Sequence, residues 1–197
     1  MPAHSKRAPI VEAGLELLHR DGFAATGVAA IAAAGGAPKG SFYNHFPSKD
    51  AFGVAVLDRY FGDVEDALSG TVGNTARPPV ERIRAYFALL RELGEHDAHA
   101  RGCLIGNLSA EASPASQAIR DRLGELYAAW TSAIAAAVAD GQTDGTIRAD
   151  ITAPTLAALL VDAWQGALLR AKVARGAASL DAYLGVLLPA LLAPVPG

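Results

Sequence analysis

Residues 37 to 53, APKGSFYNHFPSKDAFG, carry the densest chemistry of the chain. Phe42, Tyr43, His45, Phe46 and Phe52 bring rings close together, and Lys39 and Lys49 flank most of them. Lysine ammonium groups suit phosphate oxygens. Ser41, Asn44 and His45 offer donors and acceptors to base edges, and Tyr43 adds a flat apolar surface. Phe42 and Phe46 are four apart, so on a helix they share one face and belong to a core. The outward residues then read a polyanion. GGAPKGS also has the glycines and lysine of a phosphate loop, but the Walker pattern puts Lys directly after its second Gly, and Ser41 follows Gly40 here.

Short helices must hold these residues. Ile10, Ala13, Gly14, Leu17 and Leu18 fall on one amphipathic face, and Gly22 follows where a helix stops. Val28, Ile31 and Ala32 predict a second helix closed by Gly35 and Gly36. Pro38 can open a third, and Pro47 ends it. Ser48 is an N-cap for a fourth helix over 49–69, without a capping box because Ala51 stands three residues on. The stretch GTVGNTARPP breaks the pattern and divides an N-terminal domain, 1–50, from a larger helical one, 70–197. Further helices are expected over 80–95, 103–112, 114–140 with Ser113 as cap, 153–175 and 180–192. The fold class is all-α with nine helices.

Three short helices in tight succession make a helix-turn-helix module, whose second helix of the pair enters the major groove. The run GFAATGVAAIAAAGGAPKGSFYNHFPSKDAF resembles the DNA-binding signature of the TetR family of one-component bacterial transcription regulators, and the resemblance covers residues 7 to about 60. It implies a homodimer bound to double-stranded operator DNA, with a small organic effector held in the larger domain and dimerisation through the last two helices. Carried over by position, Thr26, Lys39, Tyr43, His45 and Lys49 resemble DNA-contacting sites. Ser41 and Asn44 join them as the remaining outward residues. Gly27 stands where a hydroxyl residue commonly begins the second helix, and Ala37-Pro38 replaces the usual Val-Ser.

The segment RGCLIGNLSAEAS resembles a subgroup of these regulators with a G-C-L-x-x-N motif, some linked to electrophiles or reactive acyl compounds. Cys103 is open to two readings. One is a small buried hydrophobe; the other is a sensor thiol activated by Arg101 and a helix N-terminus. Candidate effector contacts are Tyr86, Cys103, Asn107, Tyr127, Trp130 and Trp164. On a continuous helix His96, His99 and Cys103 would share a face, but Gly94 and Gly102 argue against continuity and no fourth ligand is evident. No metal and no cofactor is expected, and the connection around His96 and His99 is expected to be polar.

Composition frames these readings. Of 197 residues, 51% are hydrophobic and 19% charged, which is the balance of a folded chain. Net charge is −3, and the Lys and Arg residues at 6, 7, 20, 39 and 49 make the first fifty residues the more basic part. A single cysteine fits a reducing compartment, and no apolar run reaches the ~20 residues of a spanning helix. A cytoplasmic protein with no membrane partner is expected. The apolar residues Leu156, Leu159, Leu160, Leu184, Leu187, Leu188 and Leu191 crowd the last two helices, more than a monomer leaves exposed. The rival readings are an all-helical enzyme and an interaction module without DNA contact. No Ser-His-Asp set, two-metal carboxylate set or cofactor fingerprint supports the enzyme.

Overall fold

The computed structural model describes residues 6–195, and among these every regular element is helical. The helices are α1 (Arg7–Asp21), α2 (Val28–Ala34), α3 (Lys39–Phe42), α4 (Lys49–Gly70), α5 (Pro79–Leu93), α6 (Leu104–Glu111), α7 (Gln117–Thr143) and α8 (Ala153–Ala174). The last rod, α9, is α-helical over Ala178–Ala182 and Leu188–Leu192 and widens to a π-helix over Tyr183–Leu187. Pro189 accounts for the widening. It has no N–H for the carbonyl of Gly185, and its ring crowds that carbonyl.

The chain forms two compact units. The first combines residues up to Asp63 with Cys103–Leu126, so α6 and the start of α7 pack with α1–α3 and most of α4. Its centre is Ile10, Leu18, Ile31, Phe42, Phe52 and Leu57, all fully buried. The second comprises Val64–Gly102 and Tyr127 onward. The expected break at residues 70–79 therefore lies within the second unit, and the packing boundaries fall inside α4 and α7 as well as before Cys103.

An aromatic cluster fills the second unit. Phe87 meets Trp164 at 5.2 Å and Tyr183 at 5.0 Å, and Tyr86 meets Trp130 at 6.5 Å. The Tyr183 hydroxyl donates to the Leu160 carbonyl at 3.0 Å. Arg82, also buried, donates to the Val72 carbonyl at 3.3 Å and to Asp140 at 2.6 Å, fastening the 71–78 turn to α7.

Several sequence expectations are corrected by local chemistry. Helix α7 begins after Ser116, not Ser113: the Ser116 hydroxyl accepts from the Ile119 amide at 3.3 Å, whereas the Ser113 hydroxyl donates to the Ser109 carbonyl. The connection after α5 is less polar than expected, because His99 is buried and its ring packs over Gly94. Left-handed backbone at Ala98, His99 and Gly102 ends helical continuity there, so His96, His99 and Cys103 do not lie along one helix face. Among the described residues, no group of three or more His, Cys, Asp or Glu side chains is arranged to hold a metal ion. No helix among them is long and apolar enough to cross a membrane.

Candidate nucleic-acid interface

Two turns position the candidate surface. After α1, Gly22 takes φ +88°, and the Thr26 hydroxyl donates back to its carbonyl at 2.7 Å. Gly27 then enters α2 with extended backbone and no side-chain cap, as its lack of a hydroxyl requires. The α2–α3 turn is a Schellman motif: Ala37 N–H bonds the Ala32 carbonyl at 2.9 Å and Gly36 N–H bonds that of Ala33 at 3.0 Å. Its left-handed residue is Gly36 at φ +67°, where a side chain would be strained.

Helix α3 is shorter than the Pro38–Pro47 interval allows. Its α-helical part is Lys39–Phe42, followed by tighter turn bonds from Asn44 to Ser41 and from His45 to Phe42. Gly40 and Asn44 are poor helix formers and Pro47 closes the segment, so a longer helix gains little. The segment is held by its rings. Phe42 lies 5.3 Å from Phe46 and 5.4 Å from Phe52, and Phe46 lies 5.1 Å from Phe52. Arg7 covers the Phe46 ring at 5.2 Å. A Cβ at Gly14 would come closer than 3.0 Å to the Phe52 ring, so α1 must carry glycine there to approach α4.

With Phe42 and Phe46 turned inward, Lys39, Tyr43 and Asn44 are exposed and Ser41 and His45 half-buried. Tyr43 is 54% exposed and stands edge-on against Phe42 at 5.3 Å, a flat group fixed at its base and open at its tip. Two of the expected contacts are placed differently. Thr26 is only 4% exposed and its hydroxyl is committed to Gly22, so it shapes the entry to α2 and does not present a donor outward. Lys49 is half-buried: its ammonium donates to the Phe23 carbonyl at 2.5 Å and sits 4.5 Å above the Phe23 ring.

The other side of this loop is held by Glu111 of α6, which accepts from the Phe23 amide at 2.7 Å and, weakly, from the Ala24 amide at 3.4 Å. Lys49 and Glu111 thus grip the α1–α2 loop from opposite ends of the peptide dipole. Sequence reading missed Glu111, since nothing local marks a partner 88 residues away. Cys103 caps α6, buried, with the Tyr60 hydroxyl 3.7 Å from its sulfur. The candidate effector residues divide between the units. Cys103 and Asn107 lie at the start of α6 in the first, while Tyr86, Tyr127, Trp130 and Trp164 lie in the second. There Tyr86, Trp130 and Trp164 are buried in the aromatic cluster, and Tyr127 stacks on Trp130 at 6.3 Å. Tyr127 also lines an open groove of about 500 Å³ with Thr131, Ser132, Pro154, Ala158 and Asp162.

A short helix presented on an aromatic core, behind a Schellman turn from its partner helix, defines a helix-turn-helix module. The chain belongs to the TetR family and is a DNA-binding transcription regulator: residues 10–56 match the family model for bacterial regulatory proteins of the tetR family, and residues 79–186 match that for the tetracyclin repressor-like C-terminal domain. It is 40% identical over 186 residues to the HTH-type transcriptional repressor DhaR of Mycobacterium sp. strain GP1, covering 94% of this chain and 92% of that protein. It is 28% identical to the repressor NemR of Escherichia coli K12, covering 90% and 89%. Among solved structures, regulatory protein TetR from Rhodobacter sphaeroides superposes with a TM-score of 0.86 at 29% identity, covering 94% and 97%. The reduced form of E. coli NemR gives 0.85 at 28%, covering 96% and 98%.

Proposed function

We propose that this regulator is a cytoplasmic repressor, not an enzyme, that binds a palindromic operator as a homodimer and leaves it when a small organic effector binds. The observation that carries the DNA-binding surface is the pairing of buried Phe42 and Phe46 with outward Lys39, Tyr43 and Asn44 on one short segment. Lys39 meets phosphate. Tyr43, Asn44, Ser41 and His45 address base edges and thymine methyls. Thr26 and Lys49 hold the loop that sets the angle of α2, and Lys49 adds positive charge beside it.

Half-sites of such an operator lie about one helical turn, ~34–36 Å, or a multiple apart, so a small change in the separation of two recognition helices lowers affinity at both. The effector reading is supported by buried donors in the second unit. Among the described residues, Trp130 Nε1 and Gln165 Nε2 have no acceptor. A bound molecule with carbonyl or carboxylate oxygens would satisfy them. The homodimer reading is supported by the outer faces of α8 and α9. Leu156, Leu160 and Leu188 are buried within the chain itself, whereas Leu159, Leu169, Val173, Val186 and Leu187 are exposed. A mobility shift with the DNA upstream of the protein's own gene tests the reading. A discrete complex that random duplex cannot displace is expected; binding no tighter than to random duplex refutes it.

A further inference from the structure

Helix α8 carries an exposed stripe with an internal symmetry. Leu159, Asp162, Ala163, Gly166, Leu169, Arg170 and Val173 lie within about 60° of Gly166 around the helix, at about 100° per residue. Leu159, Leu169 and Val173 are 43%, 63% and 81% exposed, an apolar row facing away from the chain's own core. Asp162 and Arg170 sit inside this row, exposed, eight residues apart and too distant to pair with each other. Neither has an ion-pair partner among the described residues. Gly166 at the centre has ordinary helical backbone, and beyond its own helical turn no atom of the described residues lies within 4 Å of where a Cβ would stand. The chain's own packing therefore gives no reason for glycine, a poor helix former, at mid-helix.

An antiparallel two-fold contact accounts for all of these features together. A two-fold axis perpendicular to α8 at Gly166 places each residue before it against the residue equally far after it on the mate. Leu159 then meets Val173 of the partner subunit, apolar on apolar. Ala163 meets Leu169 of the partner subunit, small against large. Asp162 meets Arg170 of the partner subunit, and the same pair forms again by symmetry. A parallel arrangement would set Asp162 and Arg170 each against its own kind. Gly166 lets the two backbones approach closely where they cross. Asp162 also stands at the edge of the groove lined by Tyr127 and Thr131, which gives the incoming guanidinium room.

We propose that two copies of this chain associate with α8 crossing its mate antiparallel at Gly166, registered by two reciprocal Asp162–Arg170 ion pairs; the proposal rests on the homodimer reading above and fixes its register. The test is sedimentation equilibrium on the full chain. Asp162→Arg and Arg170→Asp should each weaken dimerisation at least about tenfold, because each creates two like-charge contacts. The double variant, and an equimolar mixture of the two single variants, should return to within about threefold of wild type. Gly166→Leu, whose Cβ has open space beyond its own helical turn, should keep the helical circular dichroism of wild type yet dissociate. If wild type dimerises but both charge variants dimerise equally well, or the mixture fails to recover affinity, the register is wrong while the homodimer stands. A monomeric wild type at micromolar concentration overturns both.

Discussion

Replacing Glu111 by alanine removes the acceptor of the Phe23 amide and leaves the α1–α2 loop held from one side only, by Lys49. The magnitude follows from the geometry. The 2.7 Å bond to Phe23 is charge-assisted, a type worth ~1.5–3 kcal/mol, and the 3.4 Å approach to Ala24 adds little. Glu111 is exposed, so water competes for the amide and the lower end applies, about 1.5 kcal/mol. For a chain of this size that lowers the melting temperature by about 3–6 °C. Glu111→Gln keeps a neutral acceptor and should lose about half as much. The loop sets the entry to α2, so operator affinity should fall for Glu111→Ala by more than any change in the fraction folded explains. Thermal melts and fluorescence anisotropy on one operator duplex measure the two effects. Unchanged melting together with unchanged affinity would show that the grip does not set the loop.

Other substitutions probe separate parts of the structure. Gly14→Ala should destabilise by about 1–2 kcal/mol despite its better helix propensity, because the new methyl overlaps the Phe52 ring; urea midpoints check this. Burial, with Tyr86 nearby, pushes the Tyr183 phenol up from its ordinary 10.0. A folded value above the unfolded one means this contribution is complete below pH 10 and is lost as pH rises further, so the melting temperature should fall with pH above 10 more steeply in wild type than in Tyr183→Phe. Cys103 is buried at the cap of α6, so a maleimide should label it slowly until the protein unfolds; labelling at the rate of a free thiol would favour the sensor reading.

What was readable from the sequence was local. Glycines, prolines and apolar spacing placed α1, α2 and the cap of α4, where Ser48 accepts from the Ala51 amide at 3.0 Å. The inward pair Phe42 and Phe46 followed from spacing, and the outward residues followed from that pair. What was hidden depends on distant partners. The burial of Arg82 is explained only by Asp140 and the Val72 carbonyl, and the role of Glu111 only by Phe23. Lys49 looked like a free phosphate contact because the sequence could not show the Phe23 carbonyl beneath it. Thr26 looked available for the same reason. Its partner, Gly22, was only four residues away, but the turn that joins them exists only once Gly22 adopts left-handed backbone.

The most direct test of the DNA-reading surface is anisotropy titration of wild type, Tyr43→Ala and Lys39→Ala against an operator duplex and a random duplex of equal length, across a salt series. Wild type should prefer the operator by at least about a thousandfold, with affinity falling steeply as salt rises. Tyr43→Ala should lose most of that preference with little change in salt slope. Lys39→Ala should weaken both duplexes alike and reduce the slope by about one. Equal preference in all three proteins, with unchanged slopes, would contradict the assignment of this surface to DNA.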